Sequence, residues 1–101
     1  MKKIMLCCSA GMSTSLLVKK MVVEAEKRGL AAEIKAFGAS EFDEQMPNYQ
    51  VVLLGPQIKY MQPELQAKAA TRGIKVEPIG MMDYGMQRAD KVLDFALSLI
   101  S

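Results

Sequence analysis

Short apolar runs alternate with stretches of helical periodicity along the whole chain. Lys3–Cys7 forms an apolar run without alternation, the pattern of a strand covered on both faces. From Ser13 to Arg28 the residues Leu17, Val18, Met21, Val22 and Ala25 recur at helical spacing, and Gly29 is placed to end that helix. Ala31–Phe37 alternates instead, with Ala32, Ile34 and Ala36 on one face and Glu33 and Lys35 on the other, which predicts an edge strand. Gly38–Asn48 has no clean period, though Ser40 ahead of Glu41, Asp43 and Glu44 suits the cap of one or two helical turns. Val51–Leu54 predicts a third, buried strand, stopped by Gly55-Pro56. Pro63 suits the first turn of a helix running to Arg72 and closed by Gly73, and Ile74–Pro78 predicts a fourth strand. A loop over Gly80–Gly85 then leads into an amphipathic helix marked by Met86, Ala89, Val92, Leu93, Ala96, Leu97 and Ile100.

Strands alternating with helices of this length predict an α/β fold: a single four-stranded parallel sheet with helices on both faces, joined by right-handed crossovers. No repeat, low-complexity tract or linker interrupts it, and 101 residues suit one domain spanning 1–101. In such sheets ligands bind beyond the carboxyl ends of the strands, where successive helices leave for opposite faces. The first strand is predicted to end at Cys7, so the loop from Cys8 to Thr14 is the place to look for chemistry.

Composition narrows that chemistry. The chain is 50% hydrophobic and 24% charged, the balance of a globular protein rather than a disordered one. A domain this small has no room for a large substrate cavity, so a reaction would sit on a surface loop or be shared with a partner. The 13 basic and 11 acidic residues are scattered, and only three Tyr and three Phe are available for stacking, which argues against nucleic-acid binding. The chain has no histidine, which removes Ser-His-Asp and Cys-His catalysis and any phosphohistidine of its own. Its two cysteines, Cys7 and Cys8, are too few for an ordinary zinc site and adjacent in sequence, so they read as free thiols in a reducing compartment. The apolar run after Lys2-Lys3 stops within five residues, short of the ~7–15 a secretion signal needs, and no stretch approaches the ~20 of a membrane span. A cytoplasmic protein with no direct membrane insertion is expected.

The segment Cys8-Ser9-Ala10-Gly11-Met12-Ser13-Thr14-Ser15 is built of small residues, and Gly11 has access to conformations closed to the others. Its amides, together with the positive end of the following helix, suit an anion cradle for phosphate, with Ser9, Ser13, Thr14 and Ser15 as hydroxyl donors. A thiol at the rim of that cradle is placed where its thiolate is favoured, so nucleophile and phosphoryl site coincide. The bland alternative is a buried cysteine followed by an ordinary Ser/Thr helix cap.

Cys8-Ser-Ala-Gly-Met-Ser-Thr-Ser-Leu-Leu-Val18 resembles the signature of the IIB component of the lactose/cellobiose (diacetylchitobiose) family of bacterial phosphoenolpyruvate-dependent sugar phosphotransferase systems. Val51-Val-Leu-Leu-Gly-Pro-Gln-Ile-Lys-Tyr-Met61 resembles a second block of that family, and Tyr84-Gly85 falls in the corresponding loop after the fourth strand. The resemblance covers essentially the whole chain. It implies a sheet like that of low-molecular-weight tyrosine phosphatases and a phosphocarrier without metal or other cofactor. Its cysteine, Cys8, would accept a phosphoryl group from the phosphohistidine of a phosphorylated IIA protein. Cys8 would then pass that group to a sugar, such as cellobiose or diacetylchitobiose, held by the membrane transporter IIC.

Cys7 also fits a loose spacing, but it continues the apolar run Ile4-Met5-Leu6, while Cys8 opens the loop. Gln57, Tyr60 and Tyr84 follow the third and fourth strands and are candidate phosphate or partner contacts. Met12, Met61, Met81, Met82 and Met86 lie on or beside loops at the same end, where adaptable side chains suit docking of two partners; Met5 and Met21 read as core. A monomer suits a shuttle that must present its loop twice. Two other readings stay open. A Cys-loop phosphatase would use C-x5-R-S/T, and position 14 here is Thr rather than Arg; Asp83, a candidate leaving-group acid for such an enzyme, reads better as a turn residue. A non-catalytic anion-binding module would leave Cys8 idle.

Overall fold

The computed structural model describes residues 1–8 and 12–100, with the side chains of Met12 and Ser13 excepted. Four parallel strands, β1 (Lys2–Cys8), β2 (Ala32–Gly38), β3 (Val51–Leu54) and β4 (Lys75–Pro78), form one sheet in the order β2-β1-β3-β4. Among the described residues five α-helices accompany them: α1 (Met12–Lys27), α2 (Phe42–Gln45), α3 (Gln62–Ala70), α4 (Met81–Gly85) and α5 (Ala89–Leu99). Short 3₁₀ segments at Ala39–Glu41, Met46–Asn48 and Pro56–Met61 complete the connections. The predicted α/β architecture, its four strands and the edge position of β2 are all present.

Alternation along the two central strands divides the core. Ile4 and Leu6 of β1 and Val51 and Leu53 of β3 face α1 and α5, where they meet Leu17, Met21, Val92 and Leu93. Met5 and Cys7, with Val52 and Leu54, face the opposite layer and meet Phe42, Ile58, Leu65 and Ala69. Because both central strands are covered on both sides, they read as continuous apolar runs rather than alternating ones. Met5 and Met21 are fully buried, as expected of core residues. Gly29 and Gly73 take φ of +66° and +69°, the left-handed conformation that ends α1 and α3.

Three local expectations are corrected. β1 runs one residue further than its apolar pattern suggested, because Cys8 pairs with Gly38 of β2. Ser40 lies inside a 3₁₀ segment that precedes α2 and supplies no side-chain cap to it. The Gly80–Gly85 loop is instead the short helix α4, and Met86 is not part of the last helix. Gln87, at φ +51°, breaks the chain between α4 and α5, while the Arg88 amide donates to the Asp83 carbonyl (2.9 Å). No helix among the described residues is long and apolar enough to cross a membrane.

Candidate active site

The strand order reverses direction between β1 and β3, and α1 and α3 pack on opposite faces of the sheet. The crevice between the carboxyl ends of these two strands is therefore the switch point at which an open α/β sheet binds ligands. Cys8 stands there as the last residue of β1, and Gly55 directly follows β3. The Gly55 amide donates to the Cys7 carbonyl at 2.8 Å, which ties the two strand ends together.

Cys8 is 2% exposed, not the open loop residue expected, and Cys7 is fully buried on the other face of the sheet. Burial pushes the Cys7 thiol up to about 11, and the neighbouring Cys8 and Glu41 add to the effect. Cys7 is thus a poor nucleophile held among Met5, Phe42 and Leu54. The two thiols, adjacent in sequence, belong to different layers of the molecule.

α1 begins four residues beyond Cys8, and its first turn carries no acidic side chain to offset its positive end. Of the predicted cradle, Ser9, Ala10 and Gly11 lie outside the described residues. Met12 and Ser13 are placed only as the backbone of the first turn of α1. Thr14 is fully buried and Ser15 is exposed.

Three of the predicted residues, far apart in sequence, meet at one hydroxyl. Thr14 Oγ1 and Tyr84 Oη are 3.1 Å apart, and Gln57 Nε2 donates to Tyr84 Oη at 3.2 Å. The connections after β1, β3 and β4 are thereby joined at the mouth of the crevice. Tyr84 reaches this point because α4, unforeseen in the sequence, lifts it off the end of β4 and packs it against the α1–α5 core. Tyr60 is not part of the cluster: it is 77% exposed. Met81, Met82 and Met86, the sequence neighbours of Tyr84, are each more than 60% exposed, while Met61 packs against the core. Asp83 lies 3.7 Å from Arg88, an ion pair that braces α4 against the start of α5. Among the described residues no group of acidic or cysteine side chains is arranged to hold a metal ion.

Gly55 is the site residue that sequence reasoning passed over as a strand stop. Its φ of −61° and ψ of 148° are open to any residue, so the backbone does not demand glycine. A Cβ there would overlap Gln57 Oε1, the far end of an exposed side chain that would have to swing aside, and would stand 3.3 Å from the Cβ of Cys8. Only contacts between β1, β3 and the following turn reveal this.

Residues 3–95 match the family profile described as "PTS system, Lactose/Cellobiose specific IIB subunit". The chain is 49% identical over 100 residues to the oligo-beta-mannoside-specific EIIB component of Bacillus subtilis (strain 168), covering 99% of this chain and 97% of that one. It is 44% identical over 105 residues to the galactose-specific EIIB component of Lactococcus lactis subsp. cremoris (strain MG1363), with the same coverage. The lactose-specific IIB domain of Streptococcus pneumoniae superposes with a TM-score of 0.89 at 19% identity, over 99% of this chain and 98% of that one, a likeness of fold. The solution structure of the cellobiose-specific IIB protein of Borrelia burgdorferi superposes at 0.81 with 34% identity, over 98% of this chain and 91% of that one.

Proposed function

The chain belongs to the lactose/cellobiose-specific IIB family of the sugar phosphotransferase system, and on that premise we propose that Cys8 is its phosphoryl carrier. The observation that carries the proposal is the place of Cys8: the last residue of β1, at the switch-point crevice, just ahead of a helix whose first turn holds no acidic residue.

The donor is a phosphohistidine on a IIA protein. The Cys8 sulfur, as thiolate, attacks phosphorus in line; the S–P bond forms, the P–N bond breaks, and its electron pair returns to the imidazole, which takes up a proton. In the second step a sugar hydroxyl held by the membrane transporter IIC attacks phosphorus. The S–P bond breaks, the hydroxyl proton leaves to solvent or a base of IIC, and the thiolate is restored. Such transfer asks for positioning and charge stabilisation more than for elaborate machinery, so amides of Ser9–Ser15 and the start of α1 suffice as the cradle. No metal or cofactor enters either step. A guanidinium clamp of the phosphatase kind is missing at position 14, where a buried Thr14 lies under Tyr84 instead; this favours a phosphoryl group that survives until its partner arrives. The exposed Tyr60, Met81, Met82 and Met86 form the adaptable rim on which IIA and IIC dock in turn, at the cytoplasmic side of the membrane, with the carrier acting as a monomer. Relatives of similar identity are named for oligo-β-mannoside, cellobiose and galactose, and a β-linked disaccharide such as cellobiose or diacetylchitobiose is the sugar class we favour.

Intact-protein mass spectrometry after incubation with phosphoenolpyruvate and the general phosphotransferase proteins, with and without IIA, tests the proposal. The expected result is one added phosphoryl group, dependent on IIA, lost in Cys8→Ser and retained in Cys7→Ser. A phosphoryl group that persists in Cys8→Ser and vanishes in a folded Cys7→Ser would overturn it.

A further inference from the structure

Gln57 occupies an unusual position for an exposed, flexible side chain. Its carboxamide folds back over the end of β3, with Oε1 against Gly55 and Nε2 on the Tyr84 hydroxyl. Holding such a side chain in one rotamer opposes its conformational freedom, so something must favour that pose. The structure supplies both a reason and a constraint. The hydrogen bond to Tyr84 Oη draws the amide inward, and the missing side chain at Gly55 leaves room for it in that pose. Gly55 is itself anchored at both polar groups: its amide donates to the Cys7 carbonyl, and its carbonyl accepts from the Ile58 amide at 3.0 Å. With the turn held by both bonds, a methyl group at position 55 is admitted by displacing the Gln57 carboxamide rather than by moving the backbone.

We infer that Gly55 and Gln57 together form a positioning device for the phosphoryl site, in which the bare backbone of Gly55 seats the Gln57 carboxamide and the carboxamide sets the Tyr84 hydroxyl against Thr14. Neither residue needs to touch the reacting atoms. Their effect reaches the first turn of α1 through Tyr84, whose hydroxyl is shared between Gln57 and Thr14. Thr14 lies in the segment that receives the phosphoryl group, so a displaced Tyr84 misplaces one wall of the cradle. A misplacement of about 1 Å costs up to about a hundredfold in rate when the reacting geometry depends on it. The inference rests on the reading of Cys8 as the acceptor.

The test is a double-mutant cycle with Gly55→Ala, Gln57→Ala and the pair, read in three ways. Single-turnover transfer from phosphorylated IIA is followed at rising IIA concentration. Both single variants are expected to lower the maximal rate about tenfold with the half-saturating IIA concentration unchanged, and the pair to be no slower than either. Amide shifts of Thr14 and ring shifts of Tyr84 should move alike in both single variants and no further in the pair. Thermal melting should show Gly55→Ala less stable than wild type and the pair partly rescued, because removing the carboxamide clears the space the new methyl needs. Additive rate losses, a changed half-saturating concentration at full maximal rate, or Tyr84 and Thr14 shifts confined to one variant would overturn the inference. If Gly55→Ala fails to fold, Gln57→Ala and the rescue by the pair still decide it. If wild type takes up no phosphoryl group at Cys8, the carrier reading fails, and the shifts alone judge the Gly55–Gln57 device.

Discussion

Removing the proton of Cys7 should loosen the whole domain, and the size of the effect follows from where the thiol sits. Cys7 is fully buried between β1 and the α2–α3 layer, and burial raises its pKa from an ordinary 9.0 to about 11. In the unfolded chain the thiol releases its proton near pH 9, while the folded protein keeps it until about pH 11. Between these values the native state binds the extra proton, so stability is intact below pH 9 and falls as pH rises towards 11. Two pH units of difference amount to about 3 kcal/mol, a sizeable part of the ~5–15 kcal/mol that holds a typical domain together. With a urea slope of ~1–3 kcal/mol per molar, the midpoint should drop by about 1–3 M across that window. Tyr49 is also raised, by burial and by the nearby Glu33, so the measurement is taken as a difference between wild type and variant. Urea unfolding of wild type and Cys7→Ala is compared from pH 7 to 11 under reducing conditions. Cys7→Ala should start about 1 kcal/mol lower for the lost buried group, then lose less stability with pH until the curves approach or cross. Curves that stay parallel to pH 11 would refute the argument, and would mean that the folded protein opens around Cys7 without cost.

Tyr84→Phe should slow phosphoryl transfer about tenfold while costing only ~0.5–1.5 kcal/mol of stability, because it removes one shared hydroxyl and leaves the ring packed; unchanged single-turnover rates would dissociate the cluster from the chemistry. Gly29→Ala should cost about 1–2 kcal/mol in denaturant, all of it from the backbone, since φ is +66° and nothing lies within 4 Å of the new methyl; Gly29→Asn should cost less. Arg28 donates to Glu24 at 2.8 Å and to Asp94 at 2.6 Å, linking α1 to α5, so Arg28→Ala should lower the melting temperature. That loss should largely disappear in ~1 M salt, and a salt-independent loss would point to packing of the arginine stem instead.

Much of this molecule is written locally. Apolar runs without alternation mark strands buried on both faces, the helical spacing of Leu17, Met21 and Ala25 marks α1, and Gly29 and Gly73 end their helices because only the left-handed region closes those turns. The apolar run also separates Cys7, its last residue, from Cys8, although only the structure shows both in one strand, where successive side chains point to opposite faces. The Cys8–Ser15 segment stood out as a candidate site because small, hydroxyl-bearing residues follow a buried strand and precede a helix, although an ordinary Ser/Thr cap has the same local composition. What remained hidden depends on distant parts of the chain. The order β2-β1-β3-β4 and the extra pairing of Cys8 with Gly38 arise between strands that local pattern treats separately. α4 forms where turn residues suggested a loop, because Asp83 reaches Arg88 and Tyr84 reaches the core. Only there do Thr14, Gln57 and Tyr84 share a hydroxyl, and only there does the missing side chain of Gly55 make room for the Gln57 carboxamide. A residue's own conformational preference acts within a few positions, whereas the room it must leave is set by whatever the tertiary fold brings beside it.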